Sequence, residues 1–433
     1  MDLLTKENIP FGPEEESEIE EGPEALSTML RLFQQYGDLY KIFSPRRNHY
    51  TYVVSDPEMV KQVLITNNRN YEKGVGIDRV KILLGNGIMV SEGDYWKKQR
   101  RMIQPAFHKA VIARLTRNIV QANEAMLASW LADKETINLT DELSSVTLRI
   151  VLQALFSADL QWLEREDGTN PFTLLTEVHE RDLLFAMKFR ALAKVIQEVI
   201  NRRRVEQRIE DDFLSMIMEA KEGEDGQPMA DKEIIDEMMT LIVAGHETTA
   251  SALTWAWYLL NKHPAVYRKA KREALETKNL DLGFQQLEQL SYIRQVVEET
   301  MRLYPPGWLL TRRSIQADVI GGYYVPPKTD IFISPYVIHR HPKYWTQPDV
   351  FNPERFDPSL RKERHRFEYF PFSGGPRQCI GDFFALVEMQ LHIAMILRST
   401  DIEVLVDEPI GMEAQINLRP DKPFFARLMS RKN

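Results

Sequence analysis

From Asp231 to Lys262 a helical period runs unbroken for about 48 Å at 1.5 Å per residue, and its middle is apolar nearly all round. A helix with no solvent face must cross a core, and a core that deep needs many other helices around it. The 433 residues can supply them, because 43% are apolar and no glycine/serine-rich or proline-rich linker divides the chain. One domain over residues 1–433 is expected, with an acidic segment at 1–24 that carries the run Glu14-Glu-Glu-Ser-Glu-Ile-Glu-Glu21. Into the middle of the long helix the sequence puts Ala244-Gly-His-Glu-Thr-Thr249. A buried carboxylate is costly and a central glycine weakens a helix by around 1 kcal/mol, so this local inconsistency points to function. The plain alternative is a Glu247 that reaches water at a bend while Thr248 bonds back to a carbonyl.

The remainder reads as mostly α, a large helical part with a small β-rich part. Between Pro57 and Leu310 helical periodicity dominates, with breaks such as Gly85-Asn-Gly87, Gly168-Thr-Asn-Pro171 and Gly223-Glu-Asp-Gly-Gln-Pro228. Tyr50 to Val54 reads as a strand, to be paired with later strands near Ile320–Tyr324 and Ile331–Ser334. A net charge of -8 argues against nucleic acid as a partner. No apolar run is long enough for a membrane anchor or signal peptide, and a single cysteine excludes a disulfide framework, so a cytoplasmic protein is expected. The nine histidines form no cluster spaced for zinc or non-haem iron. No Gly-x-Gly-x-x-Gly follows a strand, so no bound dinucleotide is expected.

That single cysteine, Cys379, sits in Phe370-Pro-Phe-Ser-Gly-Gly-Pro-Arg-Gln-Cys-Ile-Gly381, a composition for a tight loop that something flat can approach closely. A helix is expected from Asp382 to Arg398, and its N-terminus favours thiolate over thiol. A lone cysteine is by default a small buried apolar residue. However, Phe372-x-x-Gly-x-Arg377-x-Cys379-x-Gly381 resembles the haem-binding loop of the cytochrome P450 family at each of those positions. The resemblance runs from about Tyr36 to the C-terminus and implies the cytochrome P450 fold in a soluble, monomeric, bacterial-type member. It makes Cys379 the axial ligand of haem iron, sets Arg377 on a haem propionate, and packs Phe372 beside the sulfur, with Gly381 closing the loop. Thiolate ligation favours O–O cleavage. Trp96 and Arg100, one helical turn apart, and Arg312 are similar to further propionate contacts; adjacent Arg313 leaves that last assignment open by one residue. The segment from Ala244 matches the family's oxygen-binding signature, in which Ala244 and Gly245 leave room for O2 and the pair Glu247 and Thr248 delivers protons. Glu299-x-x-Arg302 followed by Arg355 looks like the family's structural triad, although alone such an i,i+3 pair is commonplace.

The implied function is a monooxygenase that places one oxygen atom from O2 into an apolar small molecule of fatty acid, terpenoid or steroid type. Met89, Ala244, Trp308, Leu309 and Leu310 are the candidate substrate contacts. With no flavin or ferredoxin segment appended, electrons are expected from NAD(P)H through a separate ferredoxin or flavodoxin and its reductase. Two basic runs, Lys97-Lys-Gln-Arg-Arg101 and Arg361-Lys-Glu-Arg-His-Arg366, are candidates for docking it. Two alternatives stand beside this: a peroxide-driven hydroxylase, and a haem-binding protein without turnover, such as a sensor.

Overall fold

The computed structural model describes residues 8–14, 19, 22, 24–45, 47–133, 135–164, 170–177, 183–222, 226–278 and 280–429. Most of the acidic run at 14–21 and parts of the breaks at 168–171 and 223–228 lie outside them. The principal helices, in chain order, are α1 (Ala25–Tyr36), α2 (Gly93–Ile103), α3 (Lys109–Asp133), α4 (Leu139–Phe156), α5 (Leu183–Glu206), α6 (Phe213–Glu219), α7 (Asp231–Lys262), α8 (Pro264–Glu276), α9 (Ser291–Leu303) and α10 (Asp382–Ser399). The fold is mostly α with small sheets, and the chain divides into two compact units.

The first unit comprises Met1–Ile77, Gln295–Cys379 and Glu408–Lys422. Its sheet joins β1 (Leu39–Ser44), β2 (His49–Val54), β3 (Tyr71–Lys73), β4 (Leu310–Ser314) and β5 (Asp330–Ile333) in the order β1-β2-β5-β4-β3. β2 runs parallel to β5, with Thr51 opposite Asp330 and Val54 opposite Ile333. Val54, Ile331 and Ile333 are fully buried, as the β-branched and aromatic content of these strands predicts. The expected partner near Ile320–Tyr324 does not join this sheet. Gly321 and Gly322, both at positive φ, turn that segment back on itself, so Asp318–Ile320 pairs with Tyr323–Val325 as a separate hairpin. Asp330, wholly buried at the head of β5, is met by Arg313 at 2.9 Å and His49 at 2.6 Å.

The second unit comprises Asp78–Arg294, Ile380–Asp407 and Pro423–Asn433. Its axis is α7, which spans Asp231–Lys262 as the period predicts and packs most extensively on α4. α7 opens where the Glu233 carboxylate accepts the Ala230 N–H at 2.8 Å, and it stops at His263 because Pro264 cannot continue the ladder. The end of α4, the end of α5 and the start of α6 meet at one buried guanidinium. Arg203 Nε donates to Asp159 at 2.6 Å and Nη1 to Asp212 at 2.8 Å, and Nη2 donates to the Phe156 carbonyl at 3.0 Å.

Candidate functional site

Within the first unit the cysteine loop is folded by its own backbone. The Cys379 N–H donates to the Phe372 carbonyl at 3.0 Å, Ser373 N–H to Phe370 at 2.9 Å, and Gln378 N–H to Gly375 at 3.1 Å. Gly375 sits at φ +72, and a side chain there would strike the Leu64 carbonyl, so glycine is required on two counts. The Cys379 thiol is exposed, while Phe372 and Arg377 are half-buried. Exposure sets Cys379 apart from the usual packed cysteine.

The loop is anchored at its start. Phe370 N–H donates to His339 Nε2 at 3.0 Å, and the His339 carbonyl accepts from Arg302 Nη1 at 2.8 Å. Burial, then the Arg302 and Arg340 charges, pushes the His339 imidazole well below its usual range, which leaves it neutral and able to accept. Arg302 forks onto the Glu299 carboxylate at 2.7 and 2.8 Å and also reaches the Pro348 carbonyl at 2.6 Å. Arg355 Nε stands 3.4 Å from the same carboxylate. The three residues read as a triad from sequence are thus brought together, and His339, which sequence reading missed, links them to the cysteine loop. Arg312, largely buried on β4, donates to the Thr311 carbonyl at 2.8 Å, whereas Arg313 is engaged by Asp330. Leu309 and Leu310 are half-buried. Trp308 is a core residue instead, with its indole donating to the Gln415 carbonyl at 2.7 Å.

In the second unit, Trp96 and Arg100 lie one turn apart on α2, both half-buried. On α7, Ala244, Gly245, Glu247 and Thr248 are also half-buried in a helix otherwise mostly closed to solvent. Thr248 Oγ1 donates back to the Ala244 carbonyl at 2.8 Å and Thr249 Oγ1 to Gly245 at 3.0 Å, the back-bonding weighed above. A side chain on Gly245 would stand 2.9 Å from Val151 Cγ2 of α4, so glycine is what lets the two helices close here. Gly381 caps the start of α10, and Met89 is half-buried next to Ile88.

The basic runs are less available than their sequence implies. Lys97 pairs with Asp94 at 2.8 Å, Arg101 with Glu222 at 2.9 Å, and Arg361 with Glu298 at 2.5 Å. Arg364 stacks 4.6 Å from the Trp345 ring centroid and donates to the Arg355 carbonyl, which makes it a structural residue.

Among the described residues no group of three or more His, Cys, Asp or Glu is arranged to hold a bare metal ion. An exposed thiol in a glycine cradle, with arginines to answer carboxylates, suits an iron already held in an organic ring. The family model described as Cytochrome P450 matches residues 18–185 and 169–427. The chain belongs to the cytochrome P450 family. Cyclooctatin synthase of Streptomyces melanosporofaciens is 35% identical over 85% of this chain and 83% of its own length. Pentalenene oxygenase of Streptomyces avermitilis is 30% identical over 92% and 91%. The crystal structure of the cytochrome P450DA heme domain matches with a TM-score of 0.86 over 98% of both chains, at 23% identity, which shows the P450 fold. This P450 is therefore an oxidoreductase that incorporates oxygen, of a family whose cofactor is haem. No helix among the described residues is long and apolar enough to cross a membrane.

Proposed function

We propose that this P450 hydroxylates or otherwise oxygenates a terpenoid, as a cytoplasmic, monomeric enzyme fed by a ferredoxin or flavodoxin and its NAD(P)H-dependent reductase. The observation that carries the haem-thiolate reading is Cys379, an exposed thiol in a loop braced through His339 to a buried ion cluster. The substrate class is supported by the relatives, since cyclooctatin and pentalenene are both isoprenoid compounds. Among the sequence candidates, Met89, Ala244, Leu309 and Leu310 offer apolar contacts, and Trp308 is set aside as core.

When bound, haem supplies the reductive activation of O2, with overall balance R–H plus O2, two protons and two electrons to R–OH plus water. Cys379 Sγ would hold the iron, Arg377, Arg312, Arg100 and Trp96 Nε1 would meet the propionates, and Phe372 would shield the sulfur from water. Ala244 would keep α7 free of bulk at the turn where O2 must fit, while Gly245 beside it lets α4 pack close to that turn. Thr248 holds a hydroxyl at that turn, already oriented by the Ala244 carbonyl, and Glu247 lies one position earlier on the same helix. Their role is to move protons at the Thr248 oxygen and the Glu247 carboxyl.

Thr248→Ala tests this reading against the peroxide-driven alternative. Substrate binding should persist, while product formed per NAD(P)H falls about tenfold or more and hydrogen peroxide accumulates instead. Undiminished product per NAD(P)H would remove Thr248 from the proton route. Cys379→Ser should abolish the carbon monoxide difference band of thiolate-ligated haem.

A further inference from the structure

Glu237 lies on α7, fully buried, and its carboxylate is only half used. Oε2 accepts the Ile88 N–H at 2.9 Å, whereas Oε1 is buried with no hydrogen-bonding partner among the described residues. A buried polar oxygen left unmet carries its full desolvation penalty, so natural sequences seldom keep one without a use. Its position on the helix indicates the use. Residues 237, 241, 244 and 248 follow at i, i+4, i+7 and i+11, which sets Glu237 on the same face of α7 as Ala244 and Thr248 and about 10 Å along the axis from Ala244.

The loop beside Glu237 is pinned to the same stretch of α7. Asn86 N–H donates to Asp236 Oδ2 at 2.9 Å, and side chains at Gly85 or Gly87 would collide with Asp236 and Thr240. Met89 follows directly. Holding the loop therefore uses Asp236 and one oxygen of Glu237, and leaves Oε1 over.

We infer that Glu237 recognises an oxygen atom carried by the substrate, a hydroxyl or carbonyl at the end remote from the carbon that is oxidised, through a hydrogen bond at Oε1. This rests on the proposed reading in which the terpenoid lies along the Ala244 face of α7. The substrate class narrows accordingly, from a bare hydrocarbon to a terpenoid already oxygenated at one end, so a hydroxylating or cyclising step that leaves an oxygen function must precede this enzyme.

The charges around Glu237 suit a neutral ligand. On its own helix stand Asp236, paired with Lys232 at 3.0 Å, and Glu233, which takes the Gln99 amide at 3.0 Å and has Lys98 at 3.9 Å; Tyr95 faces the group from α2. None of these cations is on Glu237 itself. Burial, with Asp236 and Glu233 adding to it, pushes its carboxyl up to about 8. At neutral pH the group keeps its proton, so that Oε1 can donate to a hydroxyl or carbonyl oxygen while Oε2 accepts from Ile88.

The test uses the haem-loaded enzyme and three probes: farnesol, the hydrocarbon β-farnesene, and the ketone geranylacetone, each titrated against the haem absorption band. Wild type should bind farnesol about tenfold or more tighter than β-farnesene. Glu237→Leu should erase that ratio while leaving β-farnesene affinity unchanged or improved, and Glu237→Gln, whose amide can donate at the same place and accept from Ile88, should keep most of it. Raising pH through 8 should weaken geranylacetone binding in wild type, since the ionised carboxylate cannot donate, and should leave it flat in Glu237→Gln. If Glu237→Leu weakens farnesol and β-farnesene equally, the residue only holds the 85–88 loop and the inference is overturned. If wild type binds none of the three probes, the terpenoid reading itself fails, and the inference with it; the two failures are thus told apart by whether wild type responds at all.

Discussion

Two buried arginines, one in each unit, solve the same problem in opposite ways. Arg302 is surrounded mainly by backbone: one carboxylate, Glu299, and the carbonyls of His339, Pro348 and Val350. Arg203 is surrounded mainly by carboxylates, Asp159 and Asp212, with Ser215 and a single carbonyl added. Both side chains are fully buried. Around Arg302 positive charge is in excess, because Arg355 shares Glu299 and Arg340 lies near, and the cost shows in the imidazole of His339, held neutral by burial and by these charges. Around Arg203 the charge is balanced, since Arg208 adds a second guanidinium to Asp159. The difference is one of purpose. Carbonyl acceptors fix the path of a chain, so Arg302 shapes the segment that leads to the cysteine loop; carboxylate acceptors need only a nearby cation, so Arg203 clamps helix ends.

The largest effect should follow from this contrast. Arg302→Leu strands the buried His339 carbonyl and the part-buried carbonyls of Pro348 and Val350 and weakens the hold on Glu299, a loss of about 3–5 kcal/mol in urea unfolding, with the carbon monoxide difference band lost as the cysteine loop loosens. Arg302→Lys should be nearly as damaging, because one ammonium cannot span acceptors that a planar fork reaches in fixed directions. A lysine that restored most of the stability would show that charge matters there more than direction.

Arg203→Leu should cost less, about 2–3 kcal/mol, because Asp159 keeps Arg208 and Asp212 keeps the Ser215 N–H at 2.9 Å. Here Arg203→Lys should recover half or more of the loss. Equal behaviour of lysine at both sites would collapse the distinction between chain-shaping and clamping.

Glu388 on α10 shows what happens when a carboxyl is buried without a hydrogen-bonding partner among the described residues. Both of its carboxyl oxygens are buried without a hydrogen-bonding partner among the described residues, and burial pushes the group well above the carboxylate range. With the folded value raised, the native state keeps a proton that the unfolded chain releases above about pH 4.5, so stability is greatest below that and falls as pH rises. Glu388→Gln cannot ionise. Its advantage over wild type should therefore grow between pH 5.5 and 7.5, by about 1–3 kcal/mol in urea unfolding at the two pH values. A difference independent of pH would mean that Glu388 is already ionised in the fold.

Much of this was legible in the sequence where a single period or a motif carried it. α7 begins and ends at the residues its period marks, and α10 starts at Asp382 as read, because uninterrupted apolar patterning over many turns leaves one solution. Glu299, Arg302 and Arg355 could be grouped through resemblance. The carbonyls that Arg302 holds could not, since backbone acceptors have no sequence signal. Arg203 and its carboxylates were illegible for another reason: Asp159, Arg203 and Asp212 are ordinary polar residues whose meeting depends on how three helices end. Glu237 and Glu388 did leave a trace. Glu388 falls within the apolar stripe of α10 beside Phe384 and Leu391, and Glu237 lies seven residues before Ala244, on its face. An acid in phase with an apolar or functional stripe is a readable anomaly. The ion pairs that the basic run at 97–101 makes with Glu222 and Glu233 were not legible, because those acids come from distant sequence.

The smallest effect isolates burial from geometry. Arg114 holds Asp211 with contacts of 2.8, 2.9 and 3.1 Å, a fork as good as that of Arg302 on Glu299, but the two side chains are 51% and 57% exposed. Water competes for both partners, so Arg114→Met should lower stability by about 0.5 kcal/mol or less, and that difference should shrink at high salt. The hydrogen bond from Arg114 lowers the Asp211 carboxyl below its usual range. Whatever the pair contributes is therefore present above the ordinary aspartate range and is lost as pH falls through the lowered value. Thermal melts of wild type and Arg114→Met at low and high salt, near neutral pH, would measure it. A loss approaching that of Arg203→Leu would mean that fork geometry alone, without burial, accounts for the strength of the two interior clusters.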